Sequence, residues 1–242
     1  MQTFNLPEKA TCLIFDIDST LYTCPEYADE QIDCQIRHFA DLRGMTHEDA
    51  RKLIADARKK YAAEHNGKRI SLGNLFTTFG ITIEESIAWR SALVHPEQYL
   101  SRDEKLISVL SALKKDFHLI CVTNNPVAPA VKTLEVLGIA DLIEVTIGLD
   151  TCKKSKPARE MLEYAASVAG ADFSECISVG DRFDIDVALP LEMGMGGILV
   201  NGVEEVYELP EIVKPAETNN DEPEKSSDST NILLESLVAL LS

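Results

Sequence analysis

Two aspartates separated by a single residue, Asp16 and Asp18, stand where the apolar run Cys12–Phe15 stops. A short apolar run bounded by polar residues reads as a buried strand of a parallel sheet. Ligands of such sheets bind beyond the carboxyl ends of the strands. Side chains two apart on an extended segment point the same way, so both carboxylates face one site. Carboxylates forced together repel, and they call for a cation, a shared proton or a chemical task. The alternative is a pair of solvated turn aspartates. Three later runs repeat the pattern. His118–Val122 ends in Thr123 and Asn124, residues 142–147 are followed by Lys156, and residues 176–179 end in Gly180 and Asp181. Singly, these are a helix cap, a solvated lysine and a turn. In this order, each at a strand end, they gather carboxylates, a hydroxyl, an amide and an ammonium at one sheet edge.

The elements that must position these groups change character along the chain. Residues 26–42 carry Ile32, Ile36 and Phe39 at helical spacing. A second helix is predicted from Thr46, with Asp49 as a capping partner, through Leu53, Ile54 and Ala57 to Ala63. Residues 72–79 are short and apolar, and Ile83–Leu93 reads as a helix. No convincing strand occurs between Leu21 and Pro96, so this is an all-helical insertion. Strand and helix then alternate. A helix over 104–115 has Leu106, Ile107, Leu110 and Leu113 as its stripe, and the strand His118–Val122 follows. A helix Val127–Leu137 closes on Gly138, then come a strand over 142–147, a helix over 157–169 and a strand over 176–179. A helix over 185–193, bent or shortened by Pro190, and a strand over 196–201 complete the series. That alternation predicts an α/β fold: a Rossmann-like parallel sheet core with helices on both faces and an inserted all-helical domain. The core is assigned to residues 1–21 and 97–213 and the insertion to 22–96. Residues 214–230, rich in Pro, Glu, Asn, Asp and Ser, read as a flexible acidic linker. Residues 231–242 recover an apolar pattern and read as a short C-terminal amphipathic helix, which docks on its own domain or serves self-association or a partner.

Composition narrows the function. Forty acidic against 23 basic side chains give a net charge of −17, which disfavours nucleic acid polymers and anionic membranes as partners. An anionic substrate must then be captured locally, by backbone N–H groups, a lysine or a metal ion. No run approaches the ~18 apolar residues of a membrane span, and the N-terminus lacks the basic and apolar regions of a signal peptide. The six cysteines include no Cys-x-x-Cys pair and read as free thiols in a reducing cytoplasm. The five histidines are scattered without metal-ligand spacing.

The stretch Phe15-Asp-Ile-Asp-Ser-Thr-Leu-Tyr22 resembles the first motif of the haloacid dehalogenase (HAD) superfamily of phosphatases. Thr123-Asn124 is similar to its second motif, Lys156-Pro157 to its third, and Gly180-Asp181 with Asp184 and Asp186 to its fourth. The resemblance spans about residues 10–205, and the wording around Asp16 is closest to the pyrimidine 5′-nucleotidase-like branch. The helical insertion is similar to that superfamily's first class of cap domain.

The resemblance implies roles that the chemistry of each group permits. Asp16 is the expected nucleophile, forming an aspartyl-phosphate. Asp18 is the expected acid and base, and its presence points to phosphate esters rather than carbon–halogen bonds. Thr123, Asn124 and Lys156 are expected to bind the phosphoryl group. Mg²⁺ is the expected cofactor, held by Asp16, by the backbone carbonyl of Asp18 and by Asp181. Asp186 is expected to support the metal site or pair with the lysine, with Asp184 as a helix N-cap. Ser19 stands where many members have Gly or Asn. Arg37, Arg43 and Lys68 are basic residues of the insertion that either touch the remainder of a substrate or line a solvated helix face. The expected function is cytoplasmic, Mg²⁺-dependent hydrolysis of a small phosphorylated metabolite, with a pyrimidine nucleoside 5′-monophosphate as the leading candidate. The alternatives are a phosphotransferase or sugar-phosphate mutase of the same fold, or a partner-binding protein that uses its C-terminal tail.

Overall fold

The computed structural model describes residues 1–67, 70–213 and 215. The chain opens with β1 (Gln2–Phe4) and β2 (Cys12–Phe15) and then runs through four helices: α1 (Pro25–Arg43), α2 (His47–Glu64), α3 (Leu72–Thr77) and α4 (Ile83–Leu93). Next come α5 (Glu104–Leu113), β3 (His118–Val122), α6 (Val127–Leu137), β4 (Val145–Ile147), α7 (Leu149–Cys152) and α8 (Arg159–Ala169). The last elements are β5 (Cys176–Gly180), a π turn over Phe183–Val187, α9 (Ala188–Glu192), β6 (Gly196–Leu199), α10 (Val203–Val206) and α11 (Leu209–Ile212).

The six strands form one sheet in the order β1-β6-β5-β2-β3-β4, parallel except for β1. β2 lies between β5 and β3 and is buried along its whole length, which is why it reads as an unbroken apolar run. One face of the sheet packs Leu13, Phe15, Leu119 and Ile177 with Leu106 and Leu110 of α5 and Leu134 of α6. The other packs Ile14, Ile120 and Ile147 with Met161, Leu162 and Ala165 of α8. The four-helix segment has a hydrophobic cluster of its own, built from Ile36, Phe39, Ile54, Leu72, Leu75 and Phe76. Its ends are defined by local chemistry. Thr46 caps α2 through Asp49 N, Gly44 closes α1 in the left-handed region, and Thr82 with Glu85 forms a capping box on α4.

Several boundaries differ from the sequence reading. β1 has no apolar pattern; it pairs as an antiparallel edge strand with β6. The strand read over 142–147 begins only at Val145, because Ala140–Leu142 closes as a 3₁₀ turn after Gly138. The helix read from Pro157 starts at Arg159, and the strand read to Asn201 stops at Leu199. The helix read over 185–193 is a π turn followed by the five residues of α9, which contain Pro190. In α1, Ile32 is exposed while Cys34, Gln35, Ile36 and Phe39 face inward. All six cysteines are free thiols. No helix among the described residues is long and apolar enough to cross a membrane. The linker assigned to 214–230 lies outside the described residues except for Pro215, which bridges to Ala10, and the helix assigned to 231–242 lies wholly outside them.

Candidate active site

Strand register delivers the first carboxylate. The ladder between β2 and β5 runs one residue past the strand, with Asp16 N donating to Val179 O at 2.8 Å, so Asp16 is fixed at the carboxyl edge with only 6% of its surface exposed. Lys156 arrives from the loop before α8. Its backbone N donates to Asn124 Oδ1 at 2.6 Å, and its ammonium lies 2.5 Å from Asp16 Oδ1 and 2.7 Å from Asp186 Oδ1.

The π turn after β5 brings in Asp186. Ser178 Oγ donates to the Asp186 carbonyl at 2.7 Å, and Arg182 N donates to Asp186 Oδ2 at 3.1 Å. Gly180 is required there, because a Cβ on it would collide with the Asp186 side chain. Asp184 is exposed and caps nothing, so Asp186 alone takes the lysine-pairing position and the expected capping role of Asp184 is not realised.

One ammonium cannot balance the carboxylates around it. Ligand oxygens of Asp16, Asp181 and Asp186 all lie within 4.8 Å of one another. Burial, reinforced by the charges of Asp186 and Asp18, pushes Asp16 up to about 7 against the pull of Lys156. Burial and the Asp186 charge likewise raise Asp181. Burial works against the Lys156 ammonium, but Asp16 and Asp186 outweigh it and hold its pKa above the ordinary lysine value. An excess of buried oxygen anions is the donor set of a hard divalent cation such as Mg²⁺. These residues fit that ion, with Asp186 joining Asp16 and Asp181.

Asp18 belongs to a different network. Tyr22 Oη donates to its Oδ1 at 2.5 Å and Gln31 Nε2 to the same oxygen at 2.9 Å, while Asn125 Nδ2 donates to Oδ2 at 2.8 Å. The same Asn125 Nδ2 lies 2.8 Å from Gln31 Oε1, and Asn125 Oδ1 accepts from Arg90 Nη1 at 3.1 Å. Arg90 also donates to the Asn124 carbonyl at 3.1 Å, and its Nε reaches Gln35 Oε1 at 3.4 Å. Two carboxylates two residues apart therefore hold different partners: Asp16 faces the ammonium and the acidic cluster, and Asp18 faces neutral donors.

Of the groups expected to bind phosphate, Lys156 is in place. Thr123 is buried, and its Oγ1 accepts from Asn125 N at 3.1 Å, which leaves its own O–H free to donate. The Asn124 side-chain oxygen is engaged in positioning the Lys156 backbone. The sequence reading missed Gln31, Asn125 and Arg90, and quoted Tyr22 without a role. A signal was present: Tyr27, Gln31, Gln35 and Phe39 recur every four residues on α1, so two glutamines share its inward stripe. Ser19, between Asp18 and the rest of the turn, adopts φ +60°, the region that glycine or asparagine tolerates better.

Comparison with known proteins places the chain among relatives of one family. The family model described as haloacid dehalogenase-like hydrolase matches residues 10–194. The pyrophosphatase PpaX of Listeria innocua is 25% identical over 193 residues, 78% of this chain and 83% of that protein. A phosphoglycolate phosphatase of Cupriavidus necator is 35% identical over 92 residues, 38% of this chain and 39% of that one. The crystal structure of an HAD phosphatase from Thermococcus onnurineus superposes with a TM-score of 0.57 at 22% identity, covering 84% of this chain and 97% of that one.

Proposed function

The chain belongs to the haloacid dehalogenase-like hydrolases and is a phosphatase of that family, and from that premise we propose that it is a Mg²⁺-dependent phosphomonoesterase working through an aspartyl-phosphate on Asp16. The observation that carries the reading is the separation of Asp16, against Lys156 and the acidic cluster, from Asp18, held by three neutral donors.

Asp16 Oδ attacks phosphorus, and the bond to the leaving oxygen breaks as Asp18 supplies its proton. Asp18, then ionised, takes a proton from water as that water attacks phosphorus, which frees phosphate and restores Asp16. Lys156 and the Thr123 hydroxyl meet the charge on the equatorial oxygens. Asp16, Asp181 and Asp186, with the Asp18 carbonyl, would hold Mg²⁺, which supplies positive charge that keeps Asp16 ionised and screens it from the incoming phosphate. Asn124 and Asp186 act through Lys156, one fixing its backbone and the other its ammonium.

We assign the helical segment 22–96 as a cap over a core formed by residues 1–21 and 97–213. Its separate hydrophobic cluster supports this, as do the two cap residues, Gln31 and Arg90, that reach the site. The substrate is a small phosphorylated metabolite. The wording around Asp16 favours a pyrimidine nucleoside 5′-monophosphate, and the relatives add pyrophosphate and phosphoglycolate as candidates. The free thiols support a reducing cytoplasm as its location. The test is phosphate release from a phosphometabolite panel with Mg²⁺ and no added acceptor. Turnover supports hydrolysis, whereas turnover only with an added acceptor alcohol would make the protein a phosphotransferase.

A further inference from the structure

The arginines of the cap differ in what they hold. Arg37 pairs with Glu30 at 2.6 Å and Asp33 at 2.5 Å, and Arg51 pairs with Asp33 at 2.6 Å. Arg43 lies 5.5 Å from the Phe39 ring centroid and donates to the Phe79 carbonyl. The cations that sequence reasoning singled out, Arg37 and Arg43, are thus engaged within the cap, and Lys68 lies outside the described residues. Arg90 is different. Its hydrogen bonds among the described residues all end on neutral oxygens. Nη1 donates to the Asn124 carbonyl and to Asn125 Oδ1, both at 3.1 Å, and Nε donates to Gln35 Oε1 at 3.4 Å. Gln35 is fully buried, and its Nε2 donates to the Gln31 carbonyl at 2.7 Å, which leaves its oxygen for the arginine.

An arginine side chain is always charged and carries N–H donors but no acceptor. The end of an amide that faces it is therefore fixed. Asn125 turns its oxygen to Nη1, which directs the hydrogens of Nδ2 to Asp18 Oδ2 and Gln31 Oε1, each at 2.8 Å. Gln31, whose oxygen accepts from Asn125, turns Nε2 to Asp18 Oδ1 at 2.9 Å and to Tyr22 Oη at 3.0 Å. The Tyr22 hydroxyl accepts that bond and directs its own proton to Asp18 Oδ1 at 2.5 Å. The direction of the whole ring is set at Arg90. Tyr22, Gln31 and Asn125 all donate to Asp18, so a proton carried by Asp18 meets no accepting atom among them. In a ring running the other way, Asn125 would present Oδ1 to Asp18 and hold that proton. Arg90 forbids this arrangement, because Nδ2 would then oppose Nη1, donor against donor.

We propose that Arg90 is a positioning residue for the acid step: by holding the Asn125 oxygen it keeps the amide ring running one way, so that the departing oxygen of the substrate is the acceptor left to the Asp18 proton. The inference rests on the reading of Asp18 as the acid and deepens it. As phosphorus passes to Asp16 Oδ, the electron pair of the broken P–O bond stays on the leaving oxygen, which takes the Asp18 proton. Arg90 acts on this step through Asn125 and not by touching the substrate.

Substitutions that differ in acceptor content test the proposal. Lysine offers donors alone and preserves the direction of the ring, whereas glutamine offers both ends of an amide and lets Asn125 reverse. Ethyl phosphate needs a proton on its leaving oxygen and p-nitrophenyl phosphate does not. With the full chain and Mg²⁺, Arg90→Gln should lower kcat/KM for ethyl phosphate roughly 10- to 100-fold, the range of one hydrogen bond to a charged group, and for p-nitrophenyl phosphate by less than about fivefold. Arg90→Lys should restore most of the ethyl phosphate rate. Arg90→Met, which holds neither end of the amide, carries the same expectation as Arg90→Gln and replaces it if that variant does not fold. In Asn125→Ala the ring is already broken, so adding Arg90→Gln should change the ratio between the two substrates by less than about twofold. An equal fall on both substrates overturns the proposal, because it assigns Arg90 to the support of Asn124 and Lys156. A full further loss in Asn125→Ala, or a lysine variant no better than the glutamine one, overturns it too. Turnover of p-nitrophenyl phosphate would leave the phosphatase reading standing in each case. If ethyl phosphate releases no phosphate, NMR of the ¹⁵N-labelled chain decides, through exchange with water of the Asn125 Nδ2 hydrogens, identified by their loss in Asn125→Ala. Slow exchange that quickens in Arg90→Gln and not in Arg90→Lys supports the one-way ring although the reaction assignment has failed. Fast exchange in wild type, or rates unchanged in Arg90→Gln, overturns it.

Discussion

Replacing Asn125 with alanine removes the 2.8 Å hydrogen bond to Asp18 Oδ2 while Tyr22 and Gln31 still hold Oδ1. Asp18 then stays near its place but is no longer oriented at its second oxygen. A hydrogen bond to a charged group is worth ~1.5–3 kcal/mol, and each ~1.4 kcal/mol is tenfold in rate. For an alkyl phosphate, whose leaving oxygen must be protonated, kcat/KM in Asn125→Ala should therefore fall roughly 10- to 100-fold. The loss should lie toward the upper end, because Gln31 Oε1 and Arg90 Nη1 each lose a partner as well. p-Nitrophenyl phosphate is the control, since nitrophenolate leaves without a proton; its kcat/KM should fall by less than about fivefold. Steady-state phosphate release from the two substrates, with circular dichroism to verify folding, measures both numbers. An equal loss on both would refute the reasoning, because it would place Asn125 in phosphate binding rather than in the orientation of the acid.

Other outcomes follow from the same geometry. Asp33 joins α1 to α2 through Arg51 and also pairs with Arg37 on its own helix, and these partners hold its carboxyl down at about 2. Its folded pKa lies below the unfolded value of ~3.9, so its stabilisation is complete above that value and disappears as pH falls through about 2. Asp33→Asn should cost ~1 kcal/mol at neutral pH, a figure discounted for solvent screening, with the gap to wild type in urea melts closing between about pH 4 and 2; a gap independent of pH would contradict this. Ser19→Gly relieves a left-handed conformation and should raise the unfolding free energy by ~1 kcal/mol at most, read as a higher urea midpoint; a lower midpoint would show that Ser19 is held by something other than backbone geometry. Mg²⁺ should raise the melting temperature of wild type by mass action and do so much less for Asp181→Asn, and equal shifts would remove Asp181 from the cation site.

Much of the core site was legible because a parallel sheet announces it. Each buried strand is an apolar run, and the first polar residue after it marks the carboxyl edge, which put Asp16, Thr123 and Asp181 there without any tertiary information; Lys156, nine residues past β4, was read from its likeness to a family motif. The choice between Asp184 and Asp186 was harder, because it depends on the π turn, whose extra residue per turn rotates Asp186 rather than Asp184 toward Lys156. Helices hide such information. A polar residue on an amphipathic helix reads as solvated until its neighbour is known, and for that reason Gln31 and Arg90 surfaced only when α1 and α4 were placed against β3 and its loop. β1 was unreadable for a related reason: Gln2, Thr3 and Phe4 carry no alternation, and only the edge of β6 makes them a strand.

The claim on which the account stands is covalent attachment of phosphate to Asp16. Acid quench of the full-length protein during turnover of a ³²P-labelled substrate with Mg²⁺, followed by peptide mapping, reads it directly. The account predicts hydroxylamine-sensitive label confined to the peptide that contains Asp16, retained longer when Asp18 is replaced by asparagine and absent from Asp16→Asn. Label on another residue, or steady turnover by Asp16→Asn, would contradict it.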